Sequence, residues 1–215
     1  MRFSTAAAFL GAALGSANAF LIPEGQPSGV YSVEVDENGT EHHVRVGDVA
    51  TQADLLSANG TASPATRRRS SHERRWVDGV PRHWTAECYP EEIAPAGQDM
   101  DHGSFLRATA ALDAQMPPGK QTVVRRGNHL YSIDECVVAY FCGFANPNFW
   151  WGDITVTVHD RKWNWDLIDE KCGLWHPGSS HVLIVTKGSH YTHIAYGREV
   201  YCTAKGHNFC SSGTG

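Results

Sequence analysis

The chain has 215 residues, 19% of them charged, and a formal net charge of −5. A length of that order suits one principal domain with some additional sequence. The mild acidity offers no phosphate-seeking field, so no double-stranded nucleic acid partner is expected.

Residues 1–19 read as a secretory signal peptide. Arg2 supplies a short positive start and Phe3 to Leu14 an apolar stretch. Ala17-Asn18-Ala19 fits the small-x-small cleavage pattern, which places cleavage before Phe20. The apolar run is shorter than the ~20 residues that cross a bilayer core, and no later segment reaches that length, so no membrane span is expected. The expected localisation is secreted and extracellular, which is an oxidising environment.

Residues 20–75 contain no cysteine and read as a pro-segment with a hairpin and a disordered linker. Tyr31, Val33, Val35 and then Val44, Val46 alternate with polar residues on either side of Glu37-Asn38-Gly39. That pattern predicts a two-residue hairpin, marginal by itself because two strands bury little. From Ala50 to Arg75 the chain is polar apart from Leu55-Leu56, as a disordered linker would be. Arg74 and Arg75 lie in that accessible stretch and form a candidate processing site. Asn38 and Asn59 each open an Asn-Gly-Thr tripeptide, the glycosylation acceptor pattern.

Residues 76–215 hold all six cysteines, Cys88, Cys136, Cys142, Cys172, Cys202 and Cys210, and read as the cysteine-rich mature domain. An even count in a secreted domain predicts three disulfides, with the pairing left open. His83–Tyr89 reads as a strand. Gly103–Gln115 reads as a helix capped by Ser104, with Phe105, Leu106, Ala110 and Leu112 facing the core. Gln121–Arg125 and Leu130–Ile133 flank Arg126-Gly127-Asn128 as a hairpin or bent strand pair. Cys136–Phe144 is a strongly apolar strand, which would hold Cys136 and Cys142 ~20 Å apart and unbonded to each other. Ile154–Val158 is a further strand. Arg161–Lys171 is a second helix, capped by Asp160 and ended by Cys172-Gly173. His181–Thr186, His190–Tyr196 and Glu199–Thr203 close the order. The predicted class is α+β: a mostly antiparallel sheet with two helices packed on one face, stapled by disulfides.

Signal, dibasic-terminated segment and cysteine-stabilised α+β domain together resemble fungal small secreted cysteine-rich proteins, including killer-toxin-like folds and plant-pathogen effectors. The residues carrying the likeness are SANAF at 16–20, HERRW at 72–76, the six cysteines and WDLIDEKCG at 165–173. The resemblance implies a protein that acts by binding a host or competitor target, without enzymatic activity. It also implies that Arg125-Arg126 is a second candidate cleavage site.

Candidate chemistry concentrates near the C-terminal end. His181, His190 and His193 with Arg198 and Glu199 offer the general base, general acid and phosphate clamp of a secreted hydrolase, most naturally a ribonuclease. Against it, His190 and His193 differ by three positions and so face opposite sides of a strand. No HExxH or Cys-x2-Cys spacing occurs, so no metal and no cofactor is expected. Phe149, Trp150 and Trp151 are consecutive large aromatics after a turn, and three adjacent rings cannot all point inward. They are the candidate binding surface for a protein or glycan target outside the cell, which keeps a glycan-binding module as a further reading. If the dibasic pair is used, N-terminal sequencing of secreted material should find a chain starting at Trp76. A single stable chain starting at Phe20 would refute that processing.

Overall fold

The computed structural model describes residues 20–36, 38–49, 51, 76–77, 80–89, 99–116, 122–124, 128–144, 154–186, 189–203 and 208–210. Residues 1–19, Arg74, Arg75, Asn59, Arg125-Arg126 and Phe149–Trp151 lie outside these residues. The strands are β1 (Phe20–Leu21), β2 (Gly29–Val35), β3 (Glu41–Gly47), β4 (Trp76–Val77), β5 (Val80–Cys88), β6 (Thr122–Val124), β7 (His129–Asp134), β8 (Val137–Gly143), β9 (Ile154–Val156), β10 (Gly178–Thr186), β11 (Ser189–Val200) and β12 (Asn208–Phe209). The helices are α1 (His102–Ala114) and α2 (Val158–Cys172).

Eight strands form one sheet in the order β3-β2-β7-β8-β11-β10-β5-β4, and every pairing is antiparallel. β8 lies at its centre. Its sequence VVAYFCG is buried at every position, because both faces of the sheet are covered there. On one face α1 and α2 pack Phe105, Ala108, Leu112, Trp165 and Ile168 onto Val137, Ala139, Phe141, Ile194 and Tyr196. On the other, the short pair β1-β12 lays Phe20 and Phe209 over Tyr131, Val138, Tyr140 and Cys142. The predicted α+β class, with both helices on one face, is what the chain adopts.

Local chemistry sets the element ends. Asp101, not Ser104, caps α1: its carboxylate accepts the Ser104 N–H at 2.7 Å. Thr157, not Asp160, caps α2, with its hydroxyl accepting the Asp160 N–H at 3.1 Å. An N-cap must sit outside the helix with its side chain free to turn back, and each helix starts earlier than its apolar periodicity signals. Gly173 ends α2 at φ +103°, a conformation open to glycine. Leu106 is 45% exposed, so the core stripe of α1 runs through Phe105, Ala108, Ala111 and Leu112 instead. A helix repeat of 3.6 cannot put both Phe105 and Leu106 at the centre of one narrow stripe.

Two strand pairings differ from expectation. β6 pairs with β9, and β7 pairs with β2 and β8, so the stretches flanking residues 126–128 do not pair with each other. The β2–β3 connection is longer than two residues. Asp36 N–H donates to the Thr40 carbonyl at 2.9 Å, Asp36 Oδ1 accepts from Asn38 and Thr40, and Gly39 takes φ +80°. The aspartate side chain closes a wider loop before Asn-Gly can make the tight one. The hairpin itself is present and is not isolated, since β2 lies against β7.

Three disulfides are formed: Cys88–Cys172, Cys136–Cys202 and Cys142–Cys210. The first ties the end of β5 to the end of α2. The other two fasten the chain after β11 to the two ends of β8. They span sequence separations of 84, 66 and 68 residues, and loops of that size constrain the unfolded chain by about 4 kcal/mol each in the chain-entropy account. Cys136 and Cys142 do not bond to each other, as the strand between them requires.

The helix layer makes a paired prediction. Ile168 is fully buried on α2, so Ile168→Ala should cost on the order of 3 kcal/mol in chemical denaturation. Leu106→Ala, on the exposed side of α1, should change stability by less than about 0.5 kcal/mol. Equal effects would contradict the placement of α1.

Candidate functional site

The helix-free face of the sheet has two halves, one polar and one aromatic. Strand alternation puts Tyr140 of β8, Gly197 and Glu199 of β11, Ser179 and His181 of β10 and Glu87 of β5 on this face. Tyr140, Gly197, Ser179 and Glu87 form one row across four strands, in register. Gly197 makes the row possible. The Tyr140 ring lies directly over it, where a Cβ would occupy the ring's own position.

Laid across that glycine, Tyr140 reaches two partners. Its hydroxyl donates to Glu199 Oε1 at 2.9 Å, and it is also hydrogen-bonded to the hydroxyl of Tyr89. The Tyr89 hydroxyl also engages Ser179, and Ser179 Oγ lies 3.1 Å from His181 Nε2. Glu199 is 0% exposed. A continuous hydrogen-bonded path therefore runs from a buried carboxylate through two phenols and a serine to an imidazole. Burial, and then the Glu199 charge, push both phenols well above the ordinary tyrosine range, so Tyr140 keeps its proton and donates. Burial lowers His181, partly opposed by the nearby Glu87 carboxylate. Ser179 and His181 have the hydroxyl–imidazole contact that acyl transfer uses. Both are buried, however, at 4% and 6% exposure, which leaves little approach for a substrate.

In the aromatic half, His129 stacks on Phe20 at 5.3 Å. Phe20 also stacks on Tyr131 and Phe209. Both ring nitrogens of His129 lack a hydrogen-bond partner. Its nitrogens and the sulfurs of Cys142 and Cys210 fall within 4.8 Å of one another, yet those sulfurs are bonded as a disulfide and are not available as thiolates.

Arg198 and Glu199, read together from sequence, point to opposite faces. Arg198 is on the helix side, 1% exposed, paired to Asp169 and donating to the carbonyls of His176 at 2.9 Å and Gly173 at 3.2 Å. It closes the C-terminal end of α2 and is not placed to clamp a phosphate. His190 and His193 belong to β11, and His193 is the residue at which the β10–β11 register slips, between Thr192 opposite Leu183 and Ile194 opposite Val182. Asn38 is exposed at the β2–β3 loop, as an acceptor site must be. The aromatic run Phe149–Trp151 and the dibasic pair are among the residues not described. Tyr89 and Tyr140 escape a sequence reading because their partners lie across strands far apart in the chain.

Among the described residues no helix is long and apolar enough to cross a membrane. Comparison with protein-family models, curated proteins and solved structures finds no match.

Burial lowers His129 from 6.5 to about 4. In the unfolded chain it would take up a proton near its ordinary value, so the unfolded state binds more protons between those limits. Stability should therefore fall as pH drops from about 6.5 to about 4, by up to about 3 kcal/mol from this residue. Denaturation across that range should show the loss, and His129→Phe should flatten it. An unchanged slope in the variant would show that His129 titrates normally.

Proposed function

We propose that this is a secreted, disulfide-stapled, effector- or toxin-like protein that acts by binding a protein or glycan target outside the cell. The observation that carries this reading is how the polar residues nominated for catalysis are engaged. Arg198 is sealed under α2 by Asp169 and two carbonyls, and Glu199 is sealed on the opposite face by Tyr140. A catalytic pair has to converge on solvent, whereas these two are separated by the thickness of the sheet.

Support for the extracellular setting comes from the signal-like residues 1–19 and from three disulfides without a free cysteine among the described residues. Contact would fall to surface groups that the fold does not use. Phe149, Trp150 and Trp151 are the residue types that anchor such contacts, because large rings bury much area at small entropic cost. The alternative of a small secreted hydrolase would rest on His181, whose ring nitrogen lies within hydrogen-bond reach of the Ser179 hydroxyl.

Trp150→Ala and Trp151→Ala, made separately, should test the binding reading. At least one should leave the melting temperature within a few degrees while weakening binding to isolated cell-wall glycan or target-cell surfaces by tenfold or more. RNA should stay intact in the presence of the wild-type protein. Turnover of RNA or of an ester substrate that His181→Ala or His190→Ala abolishes would replace binding by hydrolysis.

A further inference from the structure

We infer that residues 20–47, although they precede the dibasic site and hold no cysteine, form a strand-donating subunit that stays docked on the domain after the chain is cut in the linker. The inference is independent of what the protein binds.

The docking surface is visible in detail. β2 lies between β3 and β7, pairing Gly29 to Val33 with Ile133 to His129. Val30 on one face of β2 and Val33 on the other are fully buried, and Tyr31, on the same face as Val33, stacks on Tyr131 at 5.1 Å. Phe20 is 0% exposed and carries β1 onto β12, opposite Phe209. Polar contacts lock the register: Glu135 N–H donates to Ser28 Oγ at 3.1 Å, Tyr201 hydroxyl to the Pro23 carbonyl at 2.7 Å, and His43 Nδ1 lies 2.9 Å from the Tyr131 hydroxyl. The segment thus touches β7, the β7–β8 turn, the chain after β11 and β12.

Removing it would cost the domain more than the three strands β1 to β3. Tyr131, Val138, Phe209 and the Cys142–Cys210 disulfide belong to the core cluster that Phe20, Tyr31 and Val33 complete. β7 would become an open edge with an unpaired row of amides and carbonyls beside an apolar face, the arrangement that invites association with other chains. A segment that completes a core and closes an edge acts as an intramolecular added strand, held by the same main-chain bonds and side-chain pockets that hold an added peptide strand. No disulfide ties it to the rest, because all six cysteines begin at Cys88. Once the linker is cut, non-covalent contacts alone hold it.

The test uses the full chain with its disulfides formed and a specific protease sequence placed at residues 66–71. After cutting, size-exclusion chromatography in native buffer should give one peak of the uncut size containing both fragments. Concentrated urea without reductant should separate them. Val33→Ala, which thins the buried anchor without a charge, should weaken retention roughly tenfold, and Val44→Ala on the exposed side of β3 should not. Release of the N-terminal fragment in native buffer overturns the inference. So does equal retention of the Val33→Ala and wild-type fragments.

Discussion

The rest of the structure depends on two neighbouring charges in β11. Arg198 and Glu199 are opposite in sign, adjacent in sequence and both almost completely buried. Strand alternation sends them to opposite faces, and each face has built a partner for only one of them. The helix side presents Asp169 and the open carbonyls at the end of α2. The other side presents the Tyr140 hydroxyl. A slip of one residue would put a guanidinium among phenols and a carboxylate against the negative end of a helix, with neither charge matched. Buried charges are costly unless paired, so this couple opposes a one-residue slip of β11 in addition to the apolar packing. β8 and β10, paired to β11 on either side, inherit that register.

The second layer of specification is covalent and acts on different segments. Cys88–Cys172 holds α2 against the β5 side of the sheet, close to where Arg198 holds its C-terminal end. Arg161 joins α2 to α1 through a two-pronged bond to Asp113, both contacts at 2.6 Å, and Arg107 joins α1 to Asp134 at the end of β7 at 2.7 Å. The helices are therefore bolted to each other and to the sheet by charge-assisted bonds, while the aromatic layer on the far side combines ring stacking with the Cys142–Cys210 disulfide.

Much of this was legible in the sequence and some was not. Period-two and 3.6-residue patterns located the strand around Tyr31 and both helices, because one-sided burial leaves its mark on local order, and continuous apolar runs located the strands around Tyr140 and Val182. Cys172-Gly173 announced a helix end through glycine's tolerance of positive φ. The cap residues Asp101 and Thr157 were missed, since each lies before the apolar stripe begins. The partner of β6 was missed because strand pairing at a distance leaves no local trace. The same holds for the polar row. Nothing about Gly197 in isolation says that a tyrosine from the neighbouring strand lies over it, and nothing about Arg198-Glu199 as a dipeptide says that a sheet will divide them. Residues as close as these two suggested one site, and the alternation of the strand that carries them made two.

The way the chain ends are fastened governs when the fold can close. Phe20 pairs with Phe209, and Cys136 and Cys142 wait for Cys202 and Cys210. These partners, Cys202, Phe209 and Cys210, come last in the chain, so Cys136 and Cys142 are synthesised well before the thiols they pair with. During that interval Cys136 and Cys142 can be captured by the earlier Cys88 or Cys172, and correct pairing then proceeds by exchange among thiols. A sheet dominated by such long-range pairings is slow to complete. Correct closure of the sheet therefore depends on thiol exchange keeping Cys136 and Cys142 available until Cys202 and Cys210 have been made.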